Sequence, residues 1–308
     1  MKTVEQLHEI LRQHDFCRID AHIHTHVCDG DPEMTVENIA DTARERGMTC
    51  VILNPHFHKQ VSDGTTTLYT DSKEEIFVQL REEIEDYYAA HGNDLTILLA
   101  TEADILSTDG ITALRITEVG EKALDLVTPT VNYHPLLPLK AVEVTYGEFM
   151  GQLHGSGLYK SFVEKAGGIE TVLERRYETE VNAILRCPYP CMLGHFWASH
   201  TYAQPGINWF GASPEHIDII QSGSEKILEA CKKTGAMIDL TGVRPWSEID
   251  ETVEEKRARD GFFYTYQQWF LERCRRMGVI AIPGTDSHIL KTVGKTDYYR
   301  YFDPKNKV

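Results

Sequence analysis

The densest group of chemically competent side chains in this 308-residue chain is the run Asp20-Ala21-His22-Ile23-His24-Thr25-His26-Val27-Cys28-Asp29-Gly30. In an extended backbone residues i and i+2 point to the same side, so His22 and His24 can aim both imidazoles at one metal ion. Asp29 sits in a turn closed by Gly30 and can return a carboxylate to the same place. Alone, an H-x-H is a weak motif that more often marks two ordinary surface or capping histidines. Recurrence changes that balance. Asn54-Pro55-His56-Phe57-His58, Thr101-Glu102-Ala103-Asp104, Asn132-Tyr133-His134, Gly194-His195 and Gly284-Thr285-Asp286-Ser287-His288 each fall where a short apolar run gives way to a loop.

These places supply nine candidate metal ligands: His22, His24, Asp29, His56, Glu102, His134, His195, Asp286 and His288. Six imidazoles and three carboxylates exceed what one tetrahedral or octahedral ion accepts, so two or three divalent ions are expected. No thiolate belongs to the set, which argues against a structural zinc finger; imidazole mixed with carboxylate suits catalytic Zn, Mn or Fe. His26, His58 and His200 lie near the motifs and are expected to face solvent or to brace ligands. His8, His14, His91, His154 and His216 fall in helices or loops away from the motifs. The aromatic group Phe262, Phe263, Tyr264, Tyr266, Trp269 and Phe270 reads as helix packing.

The elements that must position these groups alternate. Apolar segments at 17–21, 49–54, 95–103, 124–131, 192–194, 237–240 and 279–283 are each followed by a longer stretch, which indicates parallel strands with crossover helices. The chemistry follows the strands, at the end where an α/β barrel gathers its active site, so a closed or distorted barrel is favoured over an open doubly wound sheet. In the first repeat Val36, Ile39, Ala40 and Ala43 form an apolar stripe after a Thr35 N-cap, and Gly47 ends the helix. Further helices are expected at 72–91, 168–186, 214–233 and 253–277, with Gly261 a candidate break in the last. Near the N-terminus Val4, Leu7, Ile10 and Leu11 share one helical face. The segment 135–167 fits no strand rhythm and reads as an insertion over the barrel mouth, within a single domain spanning 1–308.

Lys plus Arg total 31 against 47 Asp plus Glu, a formal charge of −16 that would repel a polyanion, so nucleic acid is not expected as the main ligand. Bound divalent ions reverse that field locally and leave a small phosphorylated substrate as the expected partner. The seven cysteines are odd in number and scattered, as in a reduced, cytoplasmic protein. Cys187 and Cys191 flank Pro-Tyr-Pro with no second such pair and read as structural. No apolar run has the form of a signal peptide or the length of a membrane span. No feature of the sequence fixes an oligomeric state.

Taken together, the motifs resemble the polymerase and histidinol phosphatase (PHP) metal-dependent phosphoesterases, relatives of the amidohydrolases. The resemblance covers about 19–294. It is carried by the opening D-x-H-x-H-T-x-x-x-D-G, His56 after strand two, Glu102 followed by Asp104 and Asp109-Gly110, His134, Gly194-His195, and the closing D-x-H of Asp286 and His288. It implies a distorted (β/α)7 TIM-like barrel, a cluster of up to three ions, ligand roles for the nine residues above, and Glu102 as a carboxylate bridging ions. The implied activity is hydrolysis of a small phosphomonoester or phosphodiester by attack of a metal-bridging hydroxide, with a histidinol-phosphatase-like activity as the best named candidate. Asp286 is the residue expected to move protons beside its ligand role.

Two features depart from the family pattern. Asn54-Pro55-His56 stands where many relatives have Thr-Asp-His, and Pro55 restricts Asn54 to extended backbone. The stretch 236–244 resembles the histidinol-phosphatase branch, in which Arg follows an Asn-Thr-x-Gly-like turn, but the Asn is unmatched. Arg244 is accordingly a candidate to grip a phosphate with its planar fork, or else a partner for a surface carboxylate. An amidohydrolase-like enzyme acting on an amide or lactone is the alternative; no strand-end motif holds the lysine such a site would use. A noncatalytic metal-binding module is the third reading, and the full ligand set counts against it.

Overall fold

The computed structural model describes residues 1–28, 30–57, 74–131, 164, 166–197, 214–241 and 253–302. Helix α1 (Val4–Arg12) begins at a reciprocal cap: the Thr3 hydroxyl accepts the Gln6 N–H at 3.3 Å, and the Gln6 side chain accepts the Thr3 N–H at 2.8 Å. Among the described residues nine short strands follow: β1 (Ile19–Ile23), β2 (Cys50–Leu53), β3 (His56–Phe57), β4 (Thr96–Leu99), β5 (Glu102–Asp104), β6 (Thr128–Thr130), β7 (Met192–Leu193), β8 (Met237–Asp239) and β9 (Ala281–Ile282). Between them run α2 (Val36–Glu45), α3 (Glu75–His91), α4 (Glu118–Ala123), α5 (Ile169–Arg186), α6 (Ile217–Thr234) and α7 (Val253–Met277).

The strands form three parallel sheets, β1-β2-β4, β3-β5-β6 and β7-β8-β9, which bears out the α/β reading. The expected strand at 95–103 is divided into β4 and β5, and the one at 49–54 is followed by a further short strand, β3. At Asn54-Pro55 the chain leaves β2 and re-enters as β3, yet Ala100 N–H still bonds Leu53 C=O at 2.8 Å and Glu102 N–H bonds Pro55 C=O at 3.0 Å. Hydrogen bonds also run between the sheets: Ala21 N–H to Pro283 C=O, His24 N–H to Ser287 C=O, Met192 N–H to Val127 C=O and Gly194 N–H to Pro129 C=O.

Alternation of side chains divides the core in two directions. Ile19, Ala21, Cys50, Ile52, Leu98, Ala100, Leu126, Met192, Met237 and Ile282, taken from all seven strand runs, meet in one cluster with Leu7 and Leu11 of α1. Their neighbours in sequence face the helices: Ile23, Val51, Leu53, Ile97 and Leu99 pack on α2 and α3, and Leu193, Ile238 and Leu240 pack with α5, α6 and α7. Burial on both faces is what parallel strands under helices require.

Thr35 caps α2 as expected, accepting the Asn38 N–H at 3.2 Å, and Gly47 turns the chain out of it at φ +75°. Some expectations are corrected. Residues 16–18 form a 3-10 turn, so β1 starts at Ile19. Helix α7 runs through Gly261 without a break, and α4 was not expected. Tyr266 and Phe270 are buried in the core, with Trp269 packed at its edge. No disulfide links the seven cysteines. No helix among the described residues is long and apolar enough to cross a membrane. Nearly all of 135–167 lies outside the described residues.

Helices α5 and α6 approach so closely that a Cβ on Gly223 would overlap the ring of Tyr177, itself fully buried. Gly223→Ala is therefore expected to destabilise the protein by about 3 kcal/mol through overpacking, read as a lower urea midpoint.

Candidate metal centre

Seven of the nine candidates converge at the ends of the strands; Asp29 and His134 lie outside the described residues, as do Arg244, His58 and His200. The centre of the cluster is Glu102, at the start of β5 and fully buried. Its carboxylate lies 3.1 Å from His22 Nε2, 3.2 Å from His56 Nδ1, 3.5 Å from His24 Nε2 and 3.5 Å from His195 Nε2. Pairing of β3 with β5 places His56 directly beside Glu102. The H-x-H of β1 does what its spacing predicts, and His22 and His24 put both Nε2 atoms on the same side. Asp286 Oδ1 stands 2.9 Å from His24 Nε2 and 3.7 Å from His195 Nε2. His288 stacks on His24 at 4.0 Å between ring centres.

Among the described residues three overlapping triads have donor atoms close enough to share an ion: His22, Glu102 and His195; His22, His24 and Asp286; and His24, His56 and His288. Two observations test whether cations fit. Glu102 Oε1 is buried without a hydrogen bond, and the Nε2 atoms of His22 and His195 face one another at 3.2 Å. Glu102, His22 and His195 would hold a divalent ion here, which would give that oxygen and the two facing nitrogens a common partner. The residues present therefore fit a metal centre, with imidazole and carboxylate donors and no thiolate in any triad.

Electrostatics point the same way. Burial opposes charge on His22, but Glu102 and Asp239 outweigh it and push the imidazole up to about 10. Burial likewise opposes charge on Glu102 and Asp286, yet the surrounding histidines hold both carboxyls well below the usual range. In the absence of an ion the carboxylates thus hold a proton on His22, and an ion must displace it. Zinc affinity of the stripped protein is expected to rise with pH up to about 10, roughly tenfold per unit for each proton released. Calorimetric zinc titrations in buffers of different ionisation enthalpy would check this; an affinity flat from pH 6 to 8 would contradict it.

Two of the converging residues, His195 at φ +51° and Asp286 at φ +54°, adopt left-handed backbone, which costs about 1–2 kcal/mol for a non-glycine residue. Buried carboxylates pin both. Asp239 Oδ2 accepts the His195 N–H at 3.1 Å. Asp20 accepts the Thr285 N–H at 3.0 Å and its hydroxyl at 2.7 Å, holding the turn that presents Asp286. His288 Nδ1 donates to the Asp286 carbonyl at 2.9 Å, leaving Nε2 as its lone pair.

Sequence reasoning passed over Asp239, which bonds His22 Nδ1 at 2.8 Å. It ends β8, the same topological place as the other motifs, and that position was the available signal. Asn54 is now accounted for. Fully buried, it donates to Ala21 C=O at 3.2 Å and accepts the Thr128 hydroxyl at 2.9 Å, tying β1 to β6. His26 stands outside the triads, beside Met34 and Glu83. His8, His14, His91 and His216 also lie away from them, His8 on the Gly235 carbonyl and His91 stacked on Tyr87.

The fold is shared with solved phosphatase structures. Histidinol phosphate phosphatase from Lactococcus lactis, solved with zinc, L-histidinol and phosphate, superimposes with a TM-score of 0.56 at 14% identity, covering 94% of this chain and 93% of that one. A candidate histidinol phosphatase from Listeria monocytogenes gives a TM-score of 0.53 at 17% identity, covering 92% of this chain and 99% of its own. No protein-family model and no curated protein matches the chain. The likeness read from the motifs is thus matched by a likeness of fold along nearly the full length of both chains.

Proposed function

We propose that this protein is a PHP-type metal-dependent phosphoesterase that hydrolyses a small phosphomonoester or phosphodiester, with histidinol phosphate the first substrate to try. The observation that carries the reading is the position of Glu102, one buried carboxylate within 3.5 Å of four imidazoles at the strand ends. The shared fold with a phosphatase solved with zinc and phosphate supports it. The seven strand runs are proposed to close as a distorted (β/α)7 barrel within a single domain. Support comes from the bonds joining Ala21 to Pro283 and His24 to Ser287, and from the common cluster plugged by α1.

Divalent ions bound here, Zn, Mn or Fe, would supply an activated water and screen charge on phosphoryl oxygens. The chain's own groups do the rest. His22, His24, His56, Glu102, His195, Asp286 and His288 would hold two or three ions, with Asp29 and His134 completing the set. Glu102, fully buried, would offset the positive charge of the ions. Asp286, with a side chain 21% exposed, is the carboxylate proposed to move a proton beside its ligand role. Arg244 is proposed to orient the phosphate, and 135–167 to cover the mouth. The reading is of a cytoplasmic enzyme acting on a small molecule.

The test is substrate class. Reloaded protein should turn over histidinol phosphate, an aryl phosphate or an aryl phosphodiester, and leave a lactone and an anilide untouched. Turnover of the carbonyl substrates alone would replace this reading with the amidohydrolase-like one.

A further inference from the structure

The Asp239 carboxylate is fully buried and faces His22, itself a fully buried ligand candidate. Every bond it makes is directional. Oδ1 accepts the Thr241 N–H at 2.8 Å and the Thr241 hydroxyl at 2.6 Å. Oδ2 lies 2.8 Å from His22 Nδ1 and accepts the His195 N–H at 3.1 Å. The space around it is closed, because a Cβ on Gly284 would overlap Asp239 Oδ1 and the Thr241 hydroxyl and crowd His22 Cβ. Asp239 also stands clear of the triads that could share an ion.

We infer that Asp239 is a positioning residue that sets which nitrogen of His22 faces the metal centre and fixes the backbone that presents His195. The inference rests on the metal-centre reading. An ionised carboxylate can only accept hydrogen bonds, so His22 Nδ1 must carry a hydrogen toward Asp239, which leaves Nε2, on the Glu102 side, as the nitrogen that would give up its proton and offer its lone pair to an ion. Such a carboxylate also raises the basicity of the ligand nitrogen. The same oxygen holds the N–H of His195 in its left-handed conformation, so one side chain on β8 orders ligand candidates from β1 and from the turn after β7. Thr241 occupies the other oxygen, which keeps the carboxylate from rotating away.

Asp239→Asn tests this, because it keeps size but removes the charge and turns one accepting oxygen into an NH2 donor. Its amide oxygen still suits the two Thr241 donors; its NH2 then meets His22 and favours the wrong tautomer. Zinc alone, titrated against a chromophoric chelator, should bind the variant roughly 10–100-fold more weakly at its tightest site. Ring 15N shifts of His22 should move away from the Nδ1-protonated, Nε2-metallated pattern of the parent. Asp125→Asn is the control for a merely structural loss. Asp125 is a buried carboxylate held by Arg81 and the Leu99 N–H, remote from the centre, and its variant should lose stability while retaining zinc affinity.

Unchanged zinc affinity and unchanged His22 shifts in Asp239→Asn would overturn the inference, as would an equal loss of affinity in Asp125→Asn. No phosphate ester enters the measurement. A protein whose zinc affinity depends on Asp239 but which hydrolyses no ester would refute the phosphoesterase reading and leave this one standing.

Discussion

Glu102→Gln should lower metal-dependent kcat/KM by at least about 10^3-fold, or about 4 kcal/mol of transition-state stabilisation, while leaving the fold intact. The substitution is isosteric but reverses the role of one terminal atom. Four imidazole nitrogens lie within 3.5 Å of the carboxylate, and all three triads draw on residues that face it. An amide there carries no charge to offset the ions and aims an NH2 at nitrogens that need a cation. Steady-state kinetics with bound zinc determined on the same preparation would check it. Because the loss is one of ions, metal content should fall together with the rate. A variant that keeps its zinc and more than a tenth of the parent activity would remove Glu102 from the centre of the account.

Stripping the metal should cost stability as well as activity. At free zinc about 1,000-fold above its dissociation constant, the loaded protein is expected to be about 4 kcal/mol more stable than the stripped one. Loaded ions would satisfy the bare Glu102 oxygen and hold His195 and Asp286 against their backbone strain. The stripped protein is not defenceless, since protonated His22 lies between Glu102 and Asp239. That contribution is fully present below the ordinary histidine value of 6.5 and is lost as pH rises through about 10, because the folded value is the raised one. The gap between loaded and stripped protein should therefore widen from pH 6 to pH 9. Urea denaturation with zinc or with chelator, at both pH values, reads it directly. Equal midpoints in zinc and chelator would mean that the cluster is satisfied by its own protons.

Much of the site was legible because its logic is local. The i, i+2 spacing of His22 and His24 on an extended strand, and the recurrence of polar residues after apolar runs, identify the seven residues that meet. The Thr35 cap and Gly47 stop delimit α2 for the same reason. What escaped depends on distant parts of the chain. Helix α4 has six residues, too few to show a period, and its N-cap Thr117 is tied by backbone and hydroxyl to Glu74. A 25-residue α7 carries Gly261 without breaking, since one glycine costs only about 1 kcal/mol against the rest of the helix. Pro55 ends β2 by lacking an N–H, but its carbonyl remains an acceptor for Glu102, so the strand run resumes as β3. Asp239 takes its meaning from a residue 217 positions away, a pairing that sequence spacing does not encode.

The most direct test of the central claim is a zinc titration of metal-stripped protein with phosphate release from histidinol phosphate followed in the same cuvette, beside His22→Ala/His24→Ala. Turnover that grows with bound zinc in the parent and is absent from the double variant is the predicted result. Zinc bound in stoichiometric amounts, with no phosphate released from this or any other phosphomonoester or phosphodiester under any of Zn, Mn or Fe, would contradict it.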